Sequence, residues 1–386
     1  MRTVSAIKNI NSTLIVYGFN MVLQFIIRFV LLYYLSIEYL GLNGLFDNIL
    51  TVLSLTELGI GPAIIFSLYS PLANHDLETA KSIMRIFKKA YIYIGTLILF
   101  LGLCISPFVQ HLIKVPPNIA YLNIFFLLFV VDTGISYFYS YKKCLLIADQ
   151  KQYIANYYRG ITQLIGSLFQ IALVILTHSF WVYIILRICM TFSENFLIAR
   201  KADHLYSFLN EKNIQPLNKD IYQSIIRNIK ALILHKIGGV TVFGTSNIIL
   251  SKFVGLSAVA LYTNYYLIIN GIDKLSDQVF NALKASVGNL NESHDDAHKL
   301  VIFKRLEFMT AYLACFICSN LYLLLNPFIT IWLGSSYRFD ESIVLWMVIN
   351  FYLMFMRKGV LVFKDAMGLF LSLIHISEPT RLQLIS

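Results

Sequence analysis

Charge is scarce in this chain. Only 13% of its 386 residues are Asp, Glu, Lys or Arg, and 58% are hydrophobic. A soluble domain carries roughly 25% charge, so an ordinary water-soluble globule is excluded. Period-2 alternation is missing too. The predominantly apolar runs Ile92–Phe108 and Ile124–Val131 show no such alternation, where barrel strands would alternate. Backbone polar groups in hydrocarbon must be satisfied internally, so helices remain. No Walker A sequence is present, and no ATP-binding part or other cofactor is expected. No nucleophile–base grouping points to catalysis, so the expectation is a non-enzyme. A cleavable signal peptide is not expected. Arg2 and Lys8 precede an apolar stretch longer than an h-region with no small-residue cleavage site, so the first helix reads as a signal anchor. The five cysteines form no framework. Cys315 and Cys318 make C-x-x-C inside an apolar helix, where a thiolate is disfavoured and packing is the reading.

What is present is a series of apolar segments, each long enough to cross a bilayer. They predict helices near 12–36, 40–68, 89–113, 119–141, 157–178, 180–200, 231–251, 257–283, 306–333 and 342–366. Lys and Arg crowd alternate loops: Lys81 to Lys89, Lys142 to Arg159, Arg200 to Lys230, Lys284 to Arg305. The other loops hold only Lys114, Lys252 and Arg338. The positive-inside rule puts the basic loops and the N-terminus in the cytoplasm. The formal net charge of +10 then faces anionic membrane lipids, and no nucleic-acid partner is expected.

The longest polar stretch, 201–230, follows the sixth helix and reads as a cytoplasmic linker between two bundles. A shift of 219 positions lays Leu35–Leu42 over Val254–Leu261, the weak internal match of a parallel repeat. Transporters place a central cavity between such bundles.

Polar residues inside the apolar segments fall in stripes. Asn20, Gln24 and Arg28 stand at i, i+4, i+8 on the first helix. An arginine at mid-helix costs about 2.5–3.5 kcal/mol on insertion scales, so it needs a partner or a wet cavity. Two readings are open: Arg28 binds an anionic headgroup, since its fork fits phosphate, or it pairs with Asp47 or Glu57. Asp47, Thr51 and Ser54 continue a polar face on the second helix, and Gly59, Gly61 and Pro62 predict a kink there. Asp132 on the fourth helix reads as a proton or cation site, or as a counter-ion to Arg28. On the eighth, Asn270, Asp273, Asp277 and Asn281 form a stripe with Lys274 beside it. Lys274 either meets ligand or pairs with Asp277 or Asn270. His235 and Lys236 open the seventh helix, where Lys236 is placed to snorkel. His294-Ser-Asp-Asp-Ala-His298 reads as a solvated loop, and no metal site is expected.

Tyr39-Leu-Gly-Leu-Asn-Gly-Leu-Phe-Asp-Asn, then Leu53-Ser-Leu-Thr-Glu-Leu-Gly-Ile-Gly-Pro, resembles the second-helix signature of Wzx-type polysaccharide and O-antigen flippases of the multidrug/oligosaccharidyl-lipid/polysaccharide exporter superfamily. His235-Lys-Ile-Gly-Gly, Phe243-Gly-Thr-Ser-Asn and Leu261-Tyr-Thr-Asn-Tyr resemble the start of its second half. The resemblance covers about 1–370. It implies an all-α polytopic protein with two six-helix bundles around a central cavity; the segments read here give a six-helix bundle at 1–200, the linker 201–230 and an incomplete bundle of about four helices at 231–370. It implies export of an undecaprenyl-diphosphate-linked oligosaccharide across the bacterial cytoplasmic membrane by alternating access, with a polysaccharide polymerase and assembly proteins as further partners. Arg28 is then the diphosphate candidate, with Lys274 or Lys236 opposite. Asn20, Gln24 and Asp47 face sugar or water, His235 and Asp273 join the site, and Asp132 and Glu57 are ion-coupling candidates. Two more helices are expected after about Phe370. The segment 371–386 instead resembles translated sequencing-adaptor sequence, and the expectation is a non-native tail.

Three rivals remain at this point. An ion-coupled multidrug antiporter of the same superfamily predicts an acidic cavity with little need for Arg28. A membrane-embedded polymerase predicts a large outer loop, and the outer loops here are short. A structural scaffold leaves the buried stripes unexplained.

Overall fold

The computed structural model describes residues 2–57, 60–115, 119–211, 216–219, 221–227, 229, 244–293 and 296–366. His235, Lys236, the stretch 231–243 and the tail 371–386 lie outside the described residues. Every regular element among the described residues is helical, as a chain of apolar, alternation-free segments requires. Among the described residues, seven single helices, and one bent pair, are long and apolar enough to cross a bilayer. The chain is a multi-pass membrane protein.

The helices divide into two compact units, residues 1–260 and 261–386. The first contains α1 (Arg2–Tyr34), α2 (Ile37–Leu53), α3 (Ile60–Ala73), α4 (Leu77–Ile105), α5 (Leu122–Ala148), α6 (Gln152–Thr177), α7 (Phe180–Leu205) and the short α8 (Ser246–Phe253). The six segments expected before the linker are all here. The second segment is two helices, α2 and α3, bent by 44° across a break that follows a 3-10 turn at Ser54–Glu57. The kink expected around Gly59 and Pro62 falls at that break. α4 starts a dozen residues before its apolar run. Asp76 caps it by accepting from the Thr79 amide at 3.0 Å, and Asp at this position satisfies an otherwise orphaned donor. The charged first turns therefore continue the helix where hydropathy alone suggests a loop.

α2 is the buried heart of the first unit. Leu42, Leu45 and Phe46 are fully buried, and Phe46 meets Phe126 and Phe129 of α5 edge-on at centroid distances of 5.4 and 5.2 Å, a favourable aromatic geometry. α5 packs in turn against α4 and α7, and α1 against α6. The opposite side of α2 takes α8. Asn247 donates from Nδ2 to the Gly44 carbonyl at 3.0 Å, and its amide donates to Asn48 Oδ1 at 3.1 Å. Gly41 lies so close to Leu256 that a Cβ there would collide with the Leu256 carbonyl. Small residues permit such approaches between helices in lipid. These contacts carry 244–260 with the first unit, so the packing boundary lies well beyond the linker at 201–230. Gly255, at φ +130°, makes the turn between α8 and α9; its amide reaches the Leu250 carbonyl at 2.9 Å, a helix terminus that favours glycine.

The second unit comprises α9 (Leu256–Ser293) from Leu261 onward, α10 (Asp296–Leu333) and α11 (Glu341–Ala366). α9 is absent from the set of apolar spans because tyrosines, asparagines and charges interrupt it. α10 and α11 pack closely. Buried Tyr265 ties the unit together: its hydroxyl donates to Asn326 Oδ1 at 2.5 Å and accepts from the Phe339 amide at 3.0 Å.

Candidate functional site

Polar stripes from five helices of the first unit meet in one cavity of about 360 Å³. α1 contributes the stripe Asn20, Gln24 and Arg28. α2 contributes Asn43 and Asp47, one turn apart. α5 contributes Asp132. α6 contributes Gln163, Ser167 and Gln170, at i, i+4 and i+7. α7 contributes Tyr183, Arg187, Thr191 and Glu194 from one face. Each stripe is what 3.6-residue periodicity makes of polar residues spaced three and four apart in an apolar run.

Arg187 sits at the crossing of these stripes. It donates from Nε to Asp132 Oδ2 at 2.9 Å, from Nη2 to Asp47 Oδ1 at 2.8 Å and from Nη1 to Asn43 Oδ1 at 3.0 Å. The guanidinium carbon lies 4.4 Å from the Phe129 ring centroid. One planar fork thus binds α7 to α2 and α5, a geometry that lysine lacks. The arrangement extends through the Tyr183 hydroxyl, which donates to Asn43 Oδ1 at 3.4 Å, and through Gln170, whose Nε2 donates to the Tyr183 carbonyl at 2.8 Å. Asp132 is 7% exposed at its side chain, Arg187 26% and Asp47 43%. The Asp132 end is therefore dry and the Asp47 end wet. Asn20 Oδ1 and Asp132 Oδ1 are buried atoms without a hydrogen-bond partner among the described residues, and both line the cavity. Glu194, at its rim, faces Lys143 at 3.8 Å and Arg159 at 4.0 Å.

Asn20, Gln24, Arg28, Asp47 and Asp132 are brought together as lining of this one cavity. Asp47 and Asp132 form their ion pairs with Arg187, and Glu57 accepts from the hydroxyls of Tyr91 at 3.2 Å and Tyr137 at 3.3 Å. Glu57 stands at the α2–α3 break and does not line the cavity. Asp273 and Lys274 belong to the second unit. Asp273 pairs with Lys358 of α11 at 2.9 Å, and Lys358 also binds Asp277, one turn along α9. Lys358, a buried lysine that the sequence reading passed over, thus holds both acids of the α9 stripe.

The reading also missed Arg187, Gln163, Gln170, Tyr183 and Glu194. A signal existed for Arg187. It is the one cation in the apolar run Phe180–Met190, the same feature that marked Arg28.

No protein-family model matches the chain, and no curated protein matches it. Among solved structures, it is similar to the inward-facing conformation of a multidrug resistance MATE family transporter of the MOP superfamily. The TM-score is 0.66 at 13% identity, over 92% of this chain and 83% of that one. An outward-facing conformation of a multidrug resistance MATE family transporter of the same superfamily gives a TM-score of 0.56 at 12% identity, over 95% and 84%. The chain has the fold of these transporters.

Proposed function

We propose that the chain is a flippase, moving a lipid-linked oligosaccharide with a diphosphate headgroup across the cytoplasmic membrane by alternating access. One observation carries this reading: Arg28 lines a cavity furnished with side-chain amides, namely Asn20, Gln24, Asn43, Gln163 and Gln170. An arginine fork suits phosphate oxygens. Amides both donate and accept, as sugar hydroxyls require. Arg28 is the cavity cation assigned to the headgroup, on the fit of its fork to phosphate oxygens. The fold of known transporters supports transport rather than catalysis, and the positive-inside bias supports a cytoplasmic N-terminus. A polymerase and assembly proteins of the same polysaccharide are the partners such a cargo needs.

A second reading has its own observation. Asp132 and Glu194 line the same cavity, and buried carboxylates suit an ion-coupled antiporter for cationic drugs.

Complementation separates the two. In a host lacking its flippase and supplied with a matched sugar, the gene restores surface polysaccharide under the first reading. Under the second it restores none, and raises resistance to cationic dyes instead. Arg28→Ala at equal membrane abundance leaves repeat units stranded in the inner leaflet if the headgroup assignment holds; normal export rejects that assignment.

A further inference from the structure

The first turns of α4 carry a groove that the central cavity does not use. Lys81, Arg85, Lys88, Lys89 and Ile92 lie along one face of the helix and line a pocket of about 340 Å³. Lys81 is buried, and its ammonium is held by Glu78 at 2.7 Å and Glu211 at 2.6 Å. The Glu211 bridge pins the 3-10 turn Ser207–Asn210 beside α4, and Phe208 and Leu209 form the apolar wall. Arg85, Lys88 and Lys89 are exposed, and among the described residues no ion pair engages them. Three cations without an ion pair among the described residues thus stand at the mouth of an apolar-walled groove.

The same face of α4 then turns apolar and stays exposed, through Ile92, Thr96, Phe100 and Leu103. From Ile92 to Leu103 the helix rises about 16 Å, half of the roughly 30 Å hydrocarbon thickness and so one leaflet. A soluble anion uses the cations alone. A lipid uses the cations and the apolar track together.

We propose that this groove is a binding site for an anionic phospholipid of the bilayer. The phosphate lies among Arg85, Lys88 and Lys89, and an acyl chain runs along Ile92, Phe100 and Leu103. The site lies at the end of the protein that the charge bias assigns to the cytoplasm, where anionic lipids attract basic residues. It holds whichever cargo the central cavity carries.

Native mass spectrometry of the purified chain, titrated with phosphatidylglycerol or phosphatidylcholine of matched chains, tests it. Arg85→Gln/Lys88→Gln/Lys89→Gln should weaken phosphatidylglycerol binding by roughly 100-fold, about fivefold per charge, and leave phosphatidylcholine unchanged. Arg200→Gln/Lys304→Gln/Arg305→Gln removes the same charge elsewhere and should change neither. Ile92→Asp keeps the cations and blocks the track, so it too should weaken phosphatidylglycerol binding; it decides the matter if the triple variant does not fold. Equal losses in the two triple variants would overturn the site in favour of diffuse surface charge. Displacement of the lipid by millimolar inorganic phosphate would make it a free-anion site. Undecaprenyl phosphate outcompeting phosphatidylglycerol would make it a cargo vestibule. Either result overturns the proposal.

Discussion

Arg187 Nε lies 2.9 Å from Asp132 Oδ2, joining two helices through residues 55 positions apart. Asp132 is the drier partner, and removing its cation leaves a carboxylate buried without compensation. Breaking a buried pair costs about 3–5 kcal/mol. Arg187 is 26% exposed at its side chain, so Arg187→Ala should fall at the lower end, about 3 kcal/mol. Thermal unfolding in detergent measures it. Arg187→Gln with Asp132→Asn should recover much of the loss, because two amides hydrogen-bond without net charge.

Where α2 meets the start of α9, Gly41→Ala places a methyl against the Leu256 carbonyl. Backbone cannot rotate away as a side chain can, so the helices must part. We expect a loss of about 1–3 kcal/mol. Gly18→Ala, whose Cβ meets nothing within 4 Å, should be neutral or slightly stabilising, since alanine favours helix. Equal effects of the two would contradict the packing described here.

The cap of α4 gives a pH signature. Hydrogen bonds from Thr79, from its hydroxyl first and then its amide, hold the Asp76 carboxyl below its ordinary value of 3.8. A depressed folded-state value means the cap's stabilisation is full above 3.8 and disappears as pH falls through the lower folded value. Asp76→Asn should flatten that acid limb of the stability profile while costing little at neutral pH, since Asn caps nearly as well. Asp76→Ala should cost about 1 kcal/mol at neutral pH.

Much of the first unit was legible in the sequence. Apolar runs located its six spans, and the Asn20–Gln24–Arg28 spacing located one wall of the cavity, because both are local, periodic signals. Pairing was not legible. Asp47 and Asp132 meet Arg187 across separations of 140 and 55 residues, and one-dimensional spacing carries no information at that range. The extent of α4 was hidden for another reason: its first turns are cationic, so hydropathy ends where the helix does not. Lys358 was invisible as the partner of Asp273 because it lies 85 residues away and α11 brings it in by tertiary packing.

Glu57 is held by two tyrosine hydroxyls beside the α2–α3 break. Tyr91 is 2% exposed, so Tyr91→Phe removes a donor that water replaces poorly. A hydrogen bond to a charged group contributes about 1.5–3 kcal/mol, and at 3.2 Å we expect the lower figure. Tyr137→Phe should behave alike, and the double variant should cost more than either. If melting temperatures are unchanged in all three, the hydroxyls do not hold Glu57.

Proteoliposomes containing a fluorescent undecaprenyl-diphosphate-linked sugar, quenched from outside by an impermeant reagent, test the central claim. The account predicts that wild-type protein moves the lipid between leaflets, and that Arg28→Ala slows it roughly tenfold, the lower end of losing a charge-assisted hydrogen bond. Vesicles that leave the lipid in place, yet accumulate a cationic dye under a proton gradient, would contradict it and make the chain an antiporter.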